Sequence, residues 1–201
     1  MSTSGETPVR RAVCVYCASS QVSHPEYREA AFTLGAVLAG AGLEIVYGGG
    51  ARGSMGALAD GALSKGGRVL GILPRFMADL EWGHPGLTEL ELVEDIRVRK
   101  HQMLARSQAA IALPGGSGTL EELLEAITLK RLGLYLNPIL LVNTRGYFDQ
   151  LIALLLRAIQ ERFMDERHAR MWEVVARPEE VPAALNRAAA WTETARDFAA
   201  L

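Results

Sequence analysis

Short apolar runs alternate with longer amphipathic segments along most of the chain, a pattern typical of βαβ units and a parallel sheet. The apolar runs predict strands at residues 12–16, 43–47, 68–73, 90–93, 109–113, 139–142 and 172–176. Apolar positions at helical spacing predict helices over residues 26–41, 54–65, 96–106, 120–132 and 148–162, with a last helix after Pro178. The pattern therefore predicts a three-layer α/β/α domain around a mainly parallel sheet of about six to seven strands.

The predicted elements follow one another without a repeat, a linker or a low-complexity tract that would divide the chain. We therefore expect a single domain over residues 9–191, with flexible ends at residues 1–8 and 192–201. A chain of 201 residues buries roughly 70% of its unfolded surface, so it can fold without a disulfide or a structural metal.

Composition and charge argue against several classes of protein. The 21 basic and 23 acidic residues give a formal net charge of -2, which removes the electrostatic case for a general nucleic-acid binder. No apolar run reaches the roughly 20 residues that a membrane span needs, and the segment MSTSGETPVRRA lacks the apolar region of a signal peptide. We therefore expect a cytoplasmic protein without a membrane partner. The 20 glycines are the compositional feature that these arguments leave unexplained.

One cluster of glycines follows the second predicted strand. The segment GGGARG at residues 48–53 contains the pattern G-x-G-x-x-G between a strand and a helix, as a dinucleotide site requires. The next strand, however, ends in Leu-Pro at residues 73–74, without the acidic residue that would bind a ribose hydroxyl, which argues against NAD. A tight turn explains the last glycine. Three consecutive glycines indicate that another group approaches the backbone closely, so Gly49 and Gly50 are candidate ligand contacts.

A second glycine-rich loop joins the strand predicted at residues 109–113 to a strongly amphipathic helix. It reads PGGSGT over residues 114–119. Free backbone N–H groups at such a helix start, together with the positive end of the helix dipole, form an anion site suited to a phosphate. No lysine follows the last glycine, as a triphosphate-binding loop would require, so a monophosphate fits better.

Glu122, near the start of that helix, has two interpretations. In one, Thr119 and Glu122 form a capping box, in which the glutamate only satisfies a backbone amide. In the other, Glu122 serves a ligand. Helical spacing predicts a core face made of Leu120, Leu123, Leu124 and Ile127, with Glu122, Glu125 and Leu129 on the opposite side. The apolar Leu129 on that side indicates that another surface covers it, and a subunit interface is the natural candidate.

The helix predicted at residues 96–106 carries the basic pair Arg99 and Lys100. Helical spacing places both on the same side as Ile96 and Met103. Basic side chains are rarely buried without partners. The pair therefore either extends its apolar stems past the core or reaches an acidic or anionic site.

Other reactive side chains do not form a recognisable site. Cys14 and Cys17 spell C-x-x-C on a strand, where positions three apart point to opposite faces, so we expect buried apolar residues and no redox pair. The histidines show no metal-ligand spacing, and we predict no metal site. No serine lies in a G-x-S-x-G setting, so a serine hydrolase is unsupported.

Three of these motifs occur together in one known family. The run PGGSGTLEE at residues 114–122, the Arg99-Lys100 pair and the YGGG loop at residues 47–50 resemble the LOG (Lonely guy) family of cytokinin riboside 5′-monophosphate phosphoribohydrolases. Its hallmark P-G-G-x-G-T-x-x-E is matched at every fixed position, and the resemblance runs from the CVYCASS segment through the GYFD run at residues 146–149 to about Val175. Many members were once labelled lysine decarboxylases, but no residue here gives a separate reason for pyridoxal phosphate. The resemblance implies a Rossmann-like fold, a homodimer and no cofactor.

The resemblance also implies roles for individual residues. It implies a catalytic pair made of Arg99 and Glu122. Further substrate contacts are implied at Glu81, Lys100, Gly116, Ser117, Gly118, Thr119, Leu120, Glu121 and Thr128. The chain departs from the family pattern at Ile96, Arg97, Val98, Ser117 and Leu129. These departures leave open which base or N6 substituent is preferred.

The chemistry implied by the resemblance is cleavage of a nucleoside 5′-monophosphate into an adenine-type base and ribose 5-phosphate. Such a cleavage passes through an oxocarbenium-like sugar, so the Glu122 carboxylate can stabilise positive charge and orient water. Arg99 can hydrogen-bond the departing purine. Three functions stay open: hydrolysis of a cytokinin nucleotide, hydrolysis of plain AMP, and binding or carriage of a nucleotide without hydrolysis.

Overall fold

A computed structural model describes residues 11–80, 82–189 and 191–199 of the chain. In these residues the strands are β1 (Ala12–Tyr16), β2 (Glu44–Tyr47), β3 (Val69–Pro74), β4 (Glu89–Val93), β5 (Ala110–Ala112), β6 (Ile139–Val142) and β7 (Glu173–Val175). The α-helices are α1 (Pro25–Gly40), α2 (Gly53–Leu63), α3 (Arg75–Ala78), α4 (Ile96–Ala105), α5 (Ser117–Arg131), α6 (Asp149–Gln160) and α7 (Val181–Arg187). Short 3₁₀ turns lie at Thr144–Gly146, Glu166–Arg170, Pro178–Glu180 and Glu193–Phe198.

The strands form one parallel sheet in the order β4-β3-β2-β1-β5-β6-β7. The chain builds outward from β1 to β4, and then crosses back so that β5 pairs with the other side of β1. The strand order therefore reverses between β1 and β5. In open α/β sheets, ligands bind in the crevice at the carboxyl ends of the strands where this reversal occurs.

The helices cover both faces of the sheet and bury two hydrophobic cores. Alternate residues of β1 supply both cores, because neighbouring side chains on a strand point to opposite faces. Cys14 and Tyr16 lie in the core covered by α4, α5 and α6, and Val13 and Val15 lie in the core covered by α1, α2 and α7. The predicted three-layer, Rossmann-like α/β fold is confirmed, and the sheet is wholly parallel in the described residues.

The predicted strands and helices are all present, with ends that shift by a few residues. The sequence pattern did not reveal α3, a single helical turn inside a stretch that looks irregular. Cys14 and Cys17 are buried and free, as expected. Residues 191–199 lie against the domain, since the Trp191 Nε1 group donates to the Lys130 carbonyl at 2.9 Å and Ala195 is buried. In the described part of the chain, no helix is long and apolar enough to cross a membrane.

Two glycines allow α1 and α2 to pack closely. A β-carbon at Gly61 would lie 2.0 Å from the Phe32 carbonyl oxygen, and one at Gly35 would lie 2.1 Å from the Leu58 carbonyl oxygen. Both distances are far shorter than a van der Waals contact, so any side chain would force the helices apart. Part of the glycine content therefore serves packing and not ligand binding.

We expect a Gly61→Ala variant to lose about 2 kcal/mol of unfolding free energy, because the added methyl group overpacks this helix pair. Gly40→Ala is the matched control, since a β-carbon at Gly40 would meet no atom within 4 Å and alanine favours the helical backbone by about 0.5–1 kcal/mol. Urea unfolding of both variants measures the difference. Equal stability of the two variants would contradict the packing argument.

Candidate functional site

The loop after β5 presents an open helix start at the carboxyl edge of the sheet. Helix α5 begins at Ser117, and its cap residue, Gly116, provides no side-chain hydrogen bond. Gly116, Ser117 and Gly118 are exposed. The first backbone N–H groups of α5 therefore point out of the helix start without a side-chain cap, and the helix dipole adds positive potential there. This geometry suits a phosphate group.

The capping-box interpretation of Glu122 is wrong. Thr119 lies inside the first turn of α5 and does not precede it, so it cannot cap the helix. Thr119 is buried, and a β-carbon on Gly115 would lie 2.2 Å from its Oγ1 atom. The side chain of Thr119 therefore packs under the loop, and Glu122 is left without a capping role.

Glu122 is buried, contrary to the predicted orientation of α5. Its side chain and backbone are only 8% exposed, whereas Leu124, which was expected in the core, is 39% exposed. The helix packs on the sheet through Leu123, Ala126 and Ile127, so Leu123 and Ile127 lie in the core as predicted, while the buried face is turned away from Leu124 and towards Glu122. This rotation brings Glu122 towards the strand ends. Leu129 is partly buried and packs against the same core.

Burial raises the pKa of Glu122 to about 7. The positive charges of Arg99 and Lys100 lower this pKa, whereas the negative charges of Glu121 and Glu125 raise it further. Arg99 has the largest effect among these charges, although its described hydrogen bonds go to backbone carbonyl oxygens and not to Glu122. Among the described residues, none donates a hydrogen bond to the Glu122 carboxylate. The carboxylate is therefore available to a ligand or to water.

Arg99 is buried and is held by the backbone. Its Nε atom donates to the Ile72 carbonyl oxygen, and its Nη2 atom donates to the Gly48 carbonyl oxygen, both at 3.0 Å. A β-carbon at Gly48 would lie 1.7 Å from Nη2, so only glycine permits this approach. The group that approaches the glycine loop closely is thus the protein's own arginine. Of the basic pair, Arg99 binds backbone carbonyl oxygens, whereas Lys100 reaches acidic side chains.

Lys100 and Thr128 both bind groups of α5 in the described residues. The Lys100 Nζ atom pairs with Glu121 and, at 2.8 Å, with Glu125, and so joins α4 to α5. Burial tends to lower the pKa of Lys100, but the two carboxylates raise it above its ordinary value. Thr128 is exposed and donates to the Leu124 carbonyl oxygen at 2.8 Å. Glu81 lies outside the described residues.

A largely apolar cavity of 310 Å³ opens beside Arg99. It is lined by Ser19, Gly48, Gly50, Ala51, Arg52, Met55, Leu73, Met77, Trp82 and Arg99. The segment that carries Trp82 is fixed to the glycine loop, because the Ala51 amide donates to the Trp82 carbonyl oxygen and the His84 amide donates to the Gly49 carbonyl oxygen. Gly49 itself lies against Leu73 and Leu90.

The apolar wall of this cavity has no counterpart among the motifs of the sequence. Met55, Met77 and Trp82 come from a helix, a single turn and a loop that are separate in sequence, and no spacing rule joins them. A tryptophan in a segment rich in glycine and proline was the available signal, because a large aromatic side chain outside the predicted elements needs a partner.

The fold and this edge of the sheet define a Rossmann-like α/β protein with a glycine-rich helix start at the strand-order reversal. The family model described as "Possible lysine decarboxylase" matches residues 55–185. The rice (Oryza sativa subsp. japonica) protein LOGL1, named a probable cytokinin riboside 5′-monophosphate phosphoribohydrolase, is 41% identical over 152 residues, which cover 76% of this chain and 68% of that protein. The chain belongs to this family, the LOG family.

Two further comparisons support the family and the fold. Arabidopsis thaliana LOG7, named a cytokinin riboside 5′-monophosphate phosphoribohydrolase, is 42% identical over 155 residues, covering 77% of this chain and 71% of that protein. The molybdenum cofactor carrier protein from Chlamydomonas reinhardtii has a similar structure, with a TM-score of 0.70 over 89% of this chain and 97% of that one. Its sequence identity is 19%, so this likeness concerns the fold.

The residues of this chain do not fit the pyridoxal phosphate that a lysine decarboxylase would require, because that cofactor needs a lysine for its Schiff base. The described lysines are Lys65, Lys100 and Lys130. Lys65 is exposed after α2, and Lys100 is paired with two glutamates. Lys130 is buried near the far end of α5, where its Nζ atom donates to the Asn137 carbonyl oxygen at 2.6 Å. None of the three lines the cavity beside Arg99.

We expect a Glu122→Gln variant to be more stable than the wild type above pH 7, by about 3 kcal/mol. Because the folded-state pKa is raised from 4.5 to about 7, ionising this carboxyl costs stability. The cost is absent below pH about 4.5, grows as the pH rises to about 7, and stays constant above it. Thermal unfolding from pH 4.5 to 8.5 measures this difference.

Glu29→Gln is the control for that experiment, since Glu29 lies exposed on α1. Its stability should follow the wild type at every pH. A Glu122→Gln variant that also follows the wild type throughout the range would show that Glu122 is not desolvated.

Proposed function

We propose that the protein is a phosphoribohydrolase that cleaves the N-glycosidic bond of a cytokinin-type, N6-substituted adenosine 5′-monophosphate. The products are the free base and ribose 5-phosphate. The observation that carries the proposal is the buried Glu122 carboxyl, which lies near the open start of α5 and is influenced by the positive charge of Arg99. The names of relatives about 40% identical, such as rice LOGL1 at 41%, support the same activity.

The substrate phosphate would bind at the start of α5. The backbone N–H groups of residues 117–119 can donate to it, and the helix dipole favours its negative charge. A fixed phosphate limits the motion of the attached ribose. Binding energy at this distant group therefore orients the scissile bond at the reacting carbon.

Glu122 would act on the ribose and on water. As a carboxylate it stabilises the positive charge that develops on the anomeric carbon, and it can orient the attacking water and accept a proton from it. Arg99 would face the leaving group. Its Nε and Nη2 atoms are used by carbonyl oxygens, which leaves Nη1 able to donate to the purine as that base accumulates negative charge.

The apolar cavity would hold the base side of the substrate. Arg99 and Gly48 line it, and Met55, Met77 and Trp82 form an adaptable apolar wall. Plain adenine would leave part of that wall in contact with water, whereas an apolar N6 substituent would cover it. This wall favours the cytokinin nucleotide over AMP, which is the second candidate. The nucleotide-carrier alternative has support from the fold alone.

We expect purified protein to release free base from an N6-isopentenyladenosine monophosphate, and to act on AMP with at least about tenfold lower kcat/KM. Chromatography of the base and of ribose 5-phosphate measures both reactions. A Glu122→Gln variant should lose at least about 1,000-fold in kcat. If neither nucleotide releases base, the protein is not a phosphoribohydrolase.

The preference between the two nucleotides can be traced to the cavity wall. Trp82→Ala should reduce the kcat/KM ratio of the isopentenyl substrate to AMP, whereas Phe76→Ala should leave it unchanged. Phe76 is a suitable control because it lies nearby in α3, is 48% exposed and does not line the cavity. Equal effects of the two variants would place the base elsewhere.

We also propose that the protein is a homodimer in which α5 faces a second copy. Leu124 and Leu134 are 39% and 62% exposed on and after α5, and a groove of 620 Å³ that includes Leu129 and Leu134 lies between α4 and α5. Apolar surface of this kind is typical of interfaces. A second copy would also explain how Thr128, which is exposed in one chain, can serve a site.

Light scattering should give about twice the chain mass of 21.8 kDa. A Leu134→Glu variant should shift the monomer–dimer equilibrium towards the monomer, because it places a charge on the apolar surface that would contact the second copy. Leu154→Glu is the control, as Leu154 is 65% exposed on α6, away from the groove. A fully active monomeric wild type would contradict the proposal.

A further inference from the structure

The GYFD run at residues 146–149 has no part in the reaction described above, yet it contacts the phosphate loop. The Tyr147 hydroxyl donates a hydrogen bond to the Gly115 carbonyl oxygen. Gly115 precedes the cap residue of α5. We infer that Tyr147 is a positioning residue that holds the Gly115 carbonyl so that the amides of residues 117–119 can bind an anion. This inference rests on the phosphate site of the proposed function.

The segment that carries Tyr147 is fixed rigidly at the end of β6. The Asn143 side chain donates to Asp149 Oδ1 and accepts from the Phe148 amide, both at 2.7 Å, and the Asn143 amide donates to the Val175 carbonyl oxygen at 2.8 Å. Gly146 has φ of 67°, a value that glycine adopts without strain. The aspartate of the run thus takes part in the bonds that hold the segment, and the glycine provides its positive φ.

The ring of Tyr147 is also held in a defined orientation. It packs edge-to-face between Phe148, with ring centroids 5.1 Å apart, and Tyr27 of α1, with centroids 5.9 Å apart. Phe148 is fully buried. An ion pair between Arg145 and Glu26 at 2.7 Å joins the same segment to α1. The hydroxyl therefore reaches Gly115 from a pre-formed support.

The direction of the Gly115 carbonyl matters because a phosphate is negatively charged. A carbonyl oxygen turned towards the anion would repel it, whereas an N–H group attracts it. A hydrogen bond from Tyr147 satisfies the oxygen on the side of β6 and so favours the loop conformation in which only donors face the ligand. The residue acts on the substrate through the loop and is not itself a catalytic residue.

Tyr147→Phe removes only the hydroxyl, and Tyr27→Phe is the matched control, since the Tyr27 hydroxyl makes no hydrogen bond among the described residues. We expect Tyr147→Phe to weaken the binding of ribose 5-phosphate about threefold to tenfold, as the loss of one hydrogen bond predicts. The KM for the nucleotide should rise by a similar factor. Amide hydrogen exchange in the first hydrogen-bonded turn of α5, which begins with the Leu120 amide bound to the Gly116 carbonyl oxygen, should become faster. Calorimetry, kinetics and mass spectrometry measure the three effects.

The outcomes separate this inference from the proposed function. If the wild type binds ribose 5-phosphate but releases no base, the proposed function fails, and a weaker affinity in Tyr147→Phe still supports the positioning role. If Tyr147→Phe and Tyr27→Phe match the wild type in affinity, KM and exchange, the inference is overturned while hydrolysis can stand. A wild type that binds no ribose 5-phosphate also overturns it.

Discussion

The buried guanidinium of Arg99 is the interaction on which the arrangement of the site depends. A buried charge is costly unless hydrogen bonds replace its water, and here two backbone carbonyls do so, one within β3 and one directly after β2. The bonds fix α4 to the edge of the sheet. They also require glycine at position 48, because any β-carbon there would overlap the guanidinium. One side chain thus links the glycine loop, a helix and the sheet.

Arg99 also sets the environment of Glu122. Burial favours the neutral carboxyl, and the positive charge of the guanidinium favours the charged form. Burial has the larger effect, so the pKa of Glu122 is raised to about 7. A group that titrates near neutral pH without a fixed hydrogen-bond partner is costly for stability and useful for proton transfer. The strand-order reversal between β1 and β5 places this pair where α/β sheets bind ligands. Stability and chemistry therefore oppose each other at Glu122.

Much of the fold was predictable from local patterns. The strands and longer helices could be predicted because apolar periodicity reports burial directly, as in β1 and α1. The rotation of α5 could not be predicted, since Leu124 and Glu122 exchange their expected environments. Hydrophobicity favours a buried leucine, but the position of the helix start at the sheet edge decides which side is covered. A periodic pattern gives the face of a helix only to within about one residue.

The candidate site was predictable in part for a similar reason. The PGGSGT segment shows its chemistry locally, because a helix start needs only its own amides to attract an anion. The role of Gly48 and the wall formed by Met55, Met77 and Trp82 depend on contacts between distant segments. The same holds for Tyr147, whose hydroxyl meets a carbonyl 32 residues away in sequence. Residues that act through their local segment are therefore visible in a single sequence, whereas residues that act through contacts with distant segments are not.

The central claim is that Glu122, as a carboxylate with a pKa raised by burial, is needed for cleavage. The most direct measurement is kcat/KM for the nucleotide as a function of pH. At each pH this value is divided by the affinity for ribose 5-phosphate, because that ratio removes the effect of ionisation of the substrate phosphate. The predicted profile falls about tenfold per pH unit below pH 7 and is flat above it. A corrected profile that stays constant from pH 5 to pH 8 would contradict the account.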